Sequence, residues 1–301
     1  VDNLLFNAVL TDNKTVQFQE LKVRHFKSIL KCLLGENIDY ISTFNTINNV
    51  LSNLTGINLE TIKTFNFIDY FLLLLNIRCL CIGNSILAET TDNKSLKLDI
   101  NVDRLISNIH EIQYNDILRP TTIYNITVNY KLPCIANIIS IDFDSIESIY
   151  KACINEIIIN NRIITISNTD TFSLKTLFDK LPVKITTTIN QRIQEILTLF
   201  NNVNLIKHLK DLEDKQLIFN FNIKNLIILV KLLFGEDLLS LYENIFNLAK
   251  IANITPVYIE DITPGEYYLF VKKLEALNKP QQTQASLDNF NSYDNELSDI
   301  A

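Results

Sequence analysis

The sequence predicts an α+β fold that is predominantly helical, with small β-hairpins and a central strand-rich segment. Three observations carry this expectation. Apolar residues recur at helical spacing through the first and last thirds of the chain, often between recognisable start and stop signals. Strict alternation occurs in the middle, where Ile126, Val128 and Tyr130 alternate with Asn125, Thr127 and Asn129. Two further apolar runs, 156–159 and 162–167, meet about Asn160-Asn161, a pair that can adopt positive φ and so reads as a hairpin turn.

The elements follow in order. Residues 4–18 read as a small hairpin, with LLFNAVL and TVQFQ flanking Thr11-Asp12-Asn13-Lys14. Helices are expected over 22–34, stopped by Gly35, and over 39–54, stopped near Gly56. A third covers 67–82, with Gly83 behind it. A polar hairpin over 85–90 and 95–100 turns about Asp92-Asn93, and a short helix near 102–109 leads into a polar connection. Asp144-Ser-Ile-Glu147 reads as an N-cap signature for a helix to about 155. Ser173 is expected to cap a helix to 181, and Pro182 to begin one running to about 209. Helices over 223–234, 238–252 and 263–277 complete the chain. In the last of these Thr263, Pro264 and Glu266 supply a cap, a first helical residue and a capping box.

These elements group as an N-terminal hairpin plus helical unit (1–84), a mixed α/β middle region (85–222), a C-terminal helical unit (223–278) and a flexible acidic tail (279–301). Within the tail, Leu287, Phe290 and Leu297 lie near helical spacing and read either as plain polypeptide or as a docking segment. The octet from Lys31 to Ile38 echoes the one from Lys231 to Leu238, as a duplicated three-helix unit or a biased composition would produce.

The stretch 67–84, FIDYFLLLLNIRCLCIGN, is the most unusual. At 100° per residue Phe67, Phe71, Leu74, Leu75 and Ile82 share a face, with Asp69 and Asn76 as a thin polar stripe opposite. Arg78 falls in the middle of the apolar face. A guanidinium there must find a carboxylate or several carbonyls, because an unpaired buried charge costs several kcal/mol.

Composition excludes several classes. A net charge of −7 and no basic cluster argue against a nucleic-acid binder. The longest apolar runs fall well short of the roughly 20 residues of a membrane span, and no secretory signal pattern opens the chain. Met is absent, so Val1 reads as a processed or trimmed start. The five cysteines, Cys32, Cys79, Cys81, Cys134 and Cys153, are odd in number and unaccompanied by a histidine cluster, which favours reduced structural thiols over disulfides or a metal set. His25, His110 and His208 are isolated, and neither a phosphate loop nor a nucleophile elbow occurs. Glu260-Asp261 reads as a solvated turn rather than an acid/base couple. No catalytic residue, cofactor or metal is expected, and the chain is expected not to be an enzyme.

Two motifs in order resemble the T4-type bacteriophage baseplate hub assembly family. The first is 67–84, with an acidic residue (Asp69), a leucine run (72–75), an Arg-ending triplet (76–78) and a Gly stop (81–83). Asn76 stands where that family usually has Lys, and Cys81 where it has Ser. The second is IANITPVYIEDITPGEYYLFVKKLEAL at 251–277, with its Pro-x-Tyr-Ile-Glu turn and its Thr-Pro helix start. The resemblance covers about 5–85 and 220–277, and an Asn-, Ile- and Lys-rich composition of the kind AT-rich genomes impose agrees with it. It implies a non-enzymatic hub component, or an assembly chaperone that shields an apolar surface on a hub or tape-measure partner. Its place would be the virion tail baseplate, or the host cytoplasm during assembly, and an oligomer is compatible. The candidate partner-binding residues are Arg78 and Asp69 as polar anchors, Phe67 and Phe71 beside them, and Leu287 and Phe290 in the tail. Alternatively Arg78 and Asp69 are internal and fix helix packing. Without the resemblance, the composition also suits a helical adaptor or host-interaction protein of a large AT-rich DNA virus or a parasite.

Overall fold

The computed structural model describes residues 4–33, 39–89, 97–140, 142, 145–199, 223–235 and 238–278. Their order is β1 (Leu5–Val9), β2 (Thr15–Gln19), α1 (Val23–Cys32), α2 (Tyr40–Thr55), α3 (Leu59–Lys63), α4 (Phe67–Cys81), β3 (Ser85–Glu89), β4 (Lys97–Asn101), α5 (Val102–His110) and α6 (Tyr114–Ile117). Then come β5 (Thr121–Ile123), β6 (Ile126–Tyr130), α7 (Ile135–Ser140), α8 (Ile146–Cys153), β7 (Ile154–Ile159), β8 (Arg162–Thr165), α9 (Thr171–Asp179) and α10 (Val183–Leu197). The last four are α11 (Ile223–Phe234), α12 (Leu238–Ile251), α13 (Pro256–Asp261) and α14 (Pro264–Asn278). Helices dominate and all described strand pairs are antiparallel, so the fold is α+β as expected.

Each hairpin turns where its residue types allow. The β1–β2 turn places Asp12 and Asn13 at φ 55° and 57°, and the rings of Phe6 and Phe18 meet across the pair at 5.6 Å. The β7–β8 turn places Asn160 and Asn161 at φ 50° and 65°, the left-handed pair that a two-residue hairpin requires. These strands extend a meander of order β5-β6-β7-β8, in which the buried Val128 and Ile157 lie opposite each other. The turn of the β3–β4 hairpin and the Gly35 stop lie outside the described residues, as do the end of the expected 182–209 helix, parts of both echoing octets and the tail.

Helix α4 lies at the centre. It packs against β1, α5 and α11, while α2 covers β2, α1 and α11. From Phe67 to Leu75 every residue is buried, so the one-faced helix of the sequence reading is enclosed on all sides along this stretch, while Leu80 near its end is 48% exposed. The chain before α4 also pairs with the middle region: Phe67 N donates to Pro133 O (3.2 Å) and Ile135 N to Phe65 O (3.0 Å). On the other flank, α1 packs against α11, α12, α13 and α14, and Val23 N donates to Ile262 O at 2.9 Å.

Two caps differ from expectation. Asp170, not Ser173, caps α9: it precedes the first turn and its carboxylate accepts from Ser173 N at 2.9 Å. Ser145 caps α8, accepting from Ser148 N at 3.3 Å, and α8 ends at Cys153 because the chain passes directly into β7. Thr263 and Glu266 form the expected reciprocal box: Glu266 N donates to Thr263 Oγ1 (3.2 Å) and Thr263 N to Glu266 Oε2 (3.0 Å). Gly265 behind them is a close approach, since a Cβ there would sit 3.1 Å from Cys81 O at the end of α4.

Candidate functional site: polar joints inside, an apolar stripe outside

The sequence singles out Asp69, and the structure places it 6% exposed in the first turn of α4. Asn66 caps the helix by accepting from Asp69 N at 2.9 Å, and returns Nδ2–H to Asp69 Oδ2 at 2.7 Å. The other carboxylate oxygen accepts from Thr11 N (2.8 Å) and Thr11 Oγ1 (2.6 Å), 58 residues away. One carboxylate therefore helps cap α4 and pins the tip of the β1–β2 hairpin. These bonds have a charged acceptor and are shielded from water, which makes them stronger than neutral ones. A cleft of about 660 Å³ opens beside the pinned tip, with Asn76, His110 and Tyr114 on its walls. There Tyr114 Oη donates to Asp12 Oδ1 (3.0 Å) and accepts from Asp12 N (3.2 Å).

Arg78 takes carbonyls rather than a carboxylate. Its Nε donates to Leu233 O at 2.8 Å, Nη2 to Ser85 O at 2.7 Å, and Nη1 to Gly83 O. Leu233 lies in the last turn of α11, whose carbonyls lack intrahelical partners, so the guanidinium serves as its C-terminal cap. Burial lowers the Arg78 pKa from its ordinary value, with Tyr268 and Cys79 opposing. A single side chain thus joins the end of α4, the start of β3 and the end of α11. Phe67 and Phe71 beside these joints are 0% and 1% exposed. Leu287 and Phe290 lie outside the described residues.

Among the described residues, burial also acts on the cysteines. Burial pushes the thiols of Cys79 and Cys81 up to about 11 and that of Cys153 up to about 12. Cys81 Sγ accepts from Leu21 N at 3.2 Å. Glu260 and Asp261 are not a solvated turn: Thr255 and Pro256 start α13 there, and the two carboxylates pair with Lys27 and Arg24, three apart on α1. Among the described residues no group of three or more His, Cys, Asp or Glu is placed to hold a metal ion, and no helix is long and apolar enough to cross a membrane.

The surface feature that sequence reasoning missed lies on α12. Leu238, Leu241, Ile245 and Leu248 are buried, while Leu239 (65% exposed), Tyr242 (40%) and Phe246 (63%) project from the outer side. Their spacing of three and four makes them one stripe. Cations border it: Lys27 Nζ lies 5.6 Å from the Tyr242 ring centroid, and Lys250 Nζ lies 5.8 Å from that of Phe246. Val257 and Tyr258 on α13 are also exposed. The signal was available as apolar doublets, 238/239, 241/242 and 245/246, which give a helix two apolar faces where a surface helix needs one. A smaller exposed spot, Phe172 and Val183, marks the starts of α9 and α10.

A family model described as T4 bacteriophage base plate protein matches residues 3–210. That match runs through the middle region, which the resemblance in the sequence motifs left unplaced, and stops short of the second motif at 251–277. No curated protein and no solved structure matches the chain.

Proposed function

Because the chain belongs to the T4 bacteriophage base plate protein family, we propose that it acts as a baseplate hub protein or as a chaperone of hub and tape-measure assembly. It works by binding protein surfaces, without catalysis, in the tail baseplate or in the host cytoplasm while the baseplate is built. Family membership gives the coarser part, a structural protein of the phage baseplate, and favours this reading over a host-interaction adaptor. The observation that carries the finer part is the α12 stripe. A row of exposed large side chains on a rigid, well-packed helix is the kind of anchor by which one protein surface covers another. The stripe, rather than Asp69 or Arg78, supplies the contact, while those two join α4 to the β1–β2 hairpin, β3 and α11. The raised thiols support a non-catalytic role, because a thiol held protonated is a poor nucleophile.

The test is mass spectrometry of purified virions beside an affinity pull-down from infected-cell lysate, each with the wild-type chain and with Phe246→Glu. Recovery in the particle at a few copies supports a hub component. Absence from the particle, with hub or tape-measure proteins in the pull-down, supports a chaperone. Absence from both overturns the proposal, and unchanged recovery of Phe246→Glu removes the stripe from it.

A further inference from the structure

We propose that the outer stripe of α12 is a docking site for the chain's own C-terminal segment, residues 286–298, bound in cis. This goes beyond the baseplate reading and does not depend on it.

The stripe and the segment match in pattern, charge and reach. Leu239, Tyr242 and Phe246 form an exposed apolar row, and Lys250 continues it by four residues. The segment SLDNFNSYDNELS places Leu287, Phe290, Tyr293 and Leu297 on one side at 100° per residue, with Asp294 among them. An apolar row ending in a cation therefore meets an apolar row that contains an anion. The remaining acids of the segment, Asp288 and Glu296, fall on the opposite side, where they would face water. No basic residue follows Lys279, so the segment is an acidic amphipathic strip, the kind that lays its apolar side on a complementary helix face.

Reach decides for this occupant over a free partner. Helix α14 packs on α12, and Tyr267 in its first turn donates its hydroxyl to Leu241 O at 3.4 Å. From Tyr267 to Asn278 the helix rises about 16 Å. Residues 279–286 can span about 27 Å when extended, enough to return Leu287 to the stripe across the roughly 10 Å between packed helices. A tether this short gives an effective concentration on the order of millimolar, which a second chain at micromolar concentration does not match. Docking would cover the aromatic pair Tyr242 and Phe246 until a protein with a stronger claim displaced it.

The experiment uses the full chain, purified alone, with p-benzoylphenylalanine in place of Phe290. Irradiation at low micromolar concentration is expected to give a monomer-sized product whose cross-linked peptide maps to 238–251. Phe246→Glu is expected to lower the yield at least five-fold, with circular dichroism and the unfolding midpoint unchanged. A cross-link to another part of the chain, or none, overturns the proposal. So does a dimer-sized product, which makes the occupant a second copy, or an equal yield from Phe246→Glu. Because no baseplate protein is present, failure here leaves the virion and pull-down outcomes untouched.

Discussion

Helices α4 and α12 invert one another. Helix α4 is buried on all sides from Phe67 to Leu75 and still carries Asp69, Tyr70 and, further on, Arg78, whose polar atoms reach Thr11, Asn48 and three backbone carbonyls. Helix α12 is buried on one side only and still carries Leu239, Tyr242 and Phe246 on the other. The polar groups inside are joints, each tying α4 to an element distant in the chain. The apolar groups outside stand on the exposed side of α12, away from the buried Leu241, Ile245 and Leu248. The contrast separates residues that build the scaffold from residues that use it.

The largest effect comes from making the same change at both addresses. Phe71→Ala removes a ring that is 1% exposed and is expected to lower the unfolding free energy by about 4 kcal/mol through lost transfer energy and a residual cavity. Phe246→Ala removes a ring that is 63% exposed and is expected to change it by less than about 0.5 kcal/mol. Urea unfolding followed by circular dichroism reads both. Equal losses would mean that α12 is as embedded as α4, and the contrast between the two helices would fail.

The polar joints come next. Asp69→Ala leaves the Thr11 N–H and hydroxyl without their acceptor in a buried place, and a loss of about 3 kcal/mol is expected. Amide exchange at the β1–β2 tip should rise in the same variant, whereas exchange in the β7–β8 hairpin should not. Arg78→Leu leaves the carbonyls of Leu233, Gly83 and Ser85 without their donor, with a loss of about 2 kcal/mol. If Arg78→Leu is neutral in stability yet loses its baseplate partner in pull-down, Arg78 is an anchor after all and belongs with the α12 stripe.

The sequence made the local structure legible and left its long-range consequences hidden. Caps, turns and periodicity located the long helices and the hairpin turn at Asn160-Asn161, because those signals act within a few residues. The short helices α3, α6, α7 and α13 span too few turns to show a period, and they passed as connections. Helix α4 reads as one-faced because Asp69 and Asn76 form a polar stripe opposite its apolar face, in which Arg78 stands out. Their partners, Thr11 and Leu233, lie 58 and 155 residues away from Asp69 and Arg78, where no local pattern can indicate them. The α12 stripe failed differently. Its doublets were visible, but doubled apolar faces fit a fully enclosed helix as well as a half-exposed one, and only packing decides between the two.

The smallest effect probes the seam between the two regions, helix α1, which packs on α2 and on α11, α12, α13 and α14. His25 stands in its first turn, where Nδ1 accepts from Lys22 N at 3.3 Å, so that bond requires an unprotonated Nδ1. Burial lowers its pKa below 6.5, Arg24 and Lys22 add to the shift, and Asp261 opposes it. Between the folded value and 6.5 the unfolded chain therefore binds more protons than the folded one, and stability rises with pH across that window. On acidification the loss begins near pH 6.5 and levels off below the folded pKa. His25→Gln can accept the same bond without titrating. The difference in urea midpoint between wild type and His25→Gln should therefore shift against the wild type as pH falls from 7.5 to 5. If it stays constant across that range, proton binding at His25 is not coupled to folding, and the start of α1 holds the seam together without sensing acid.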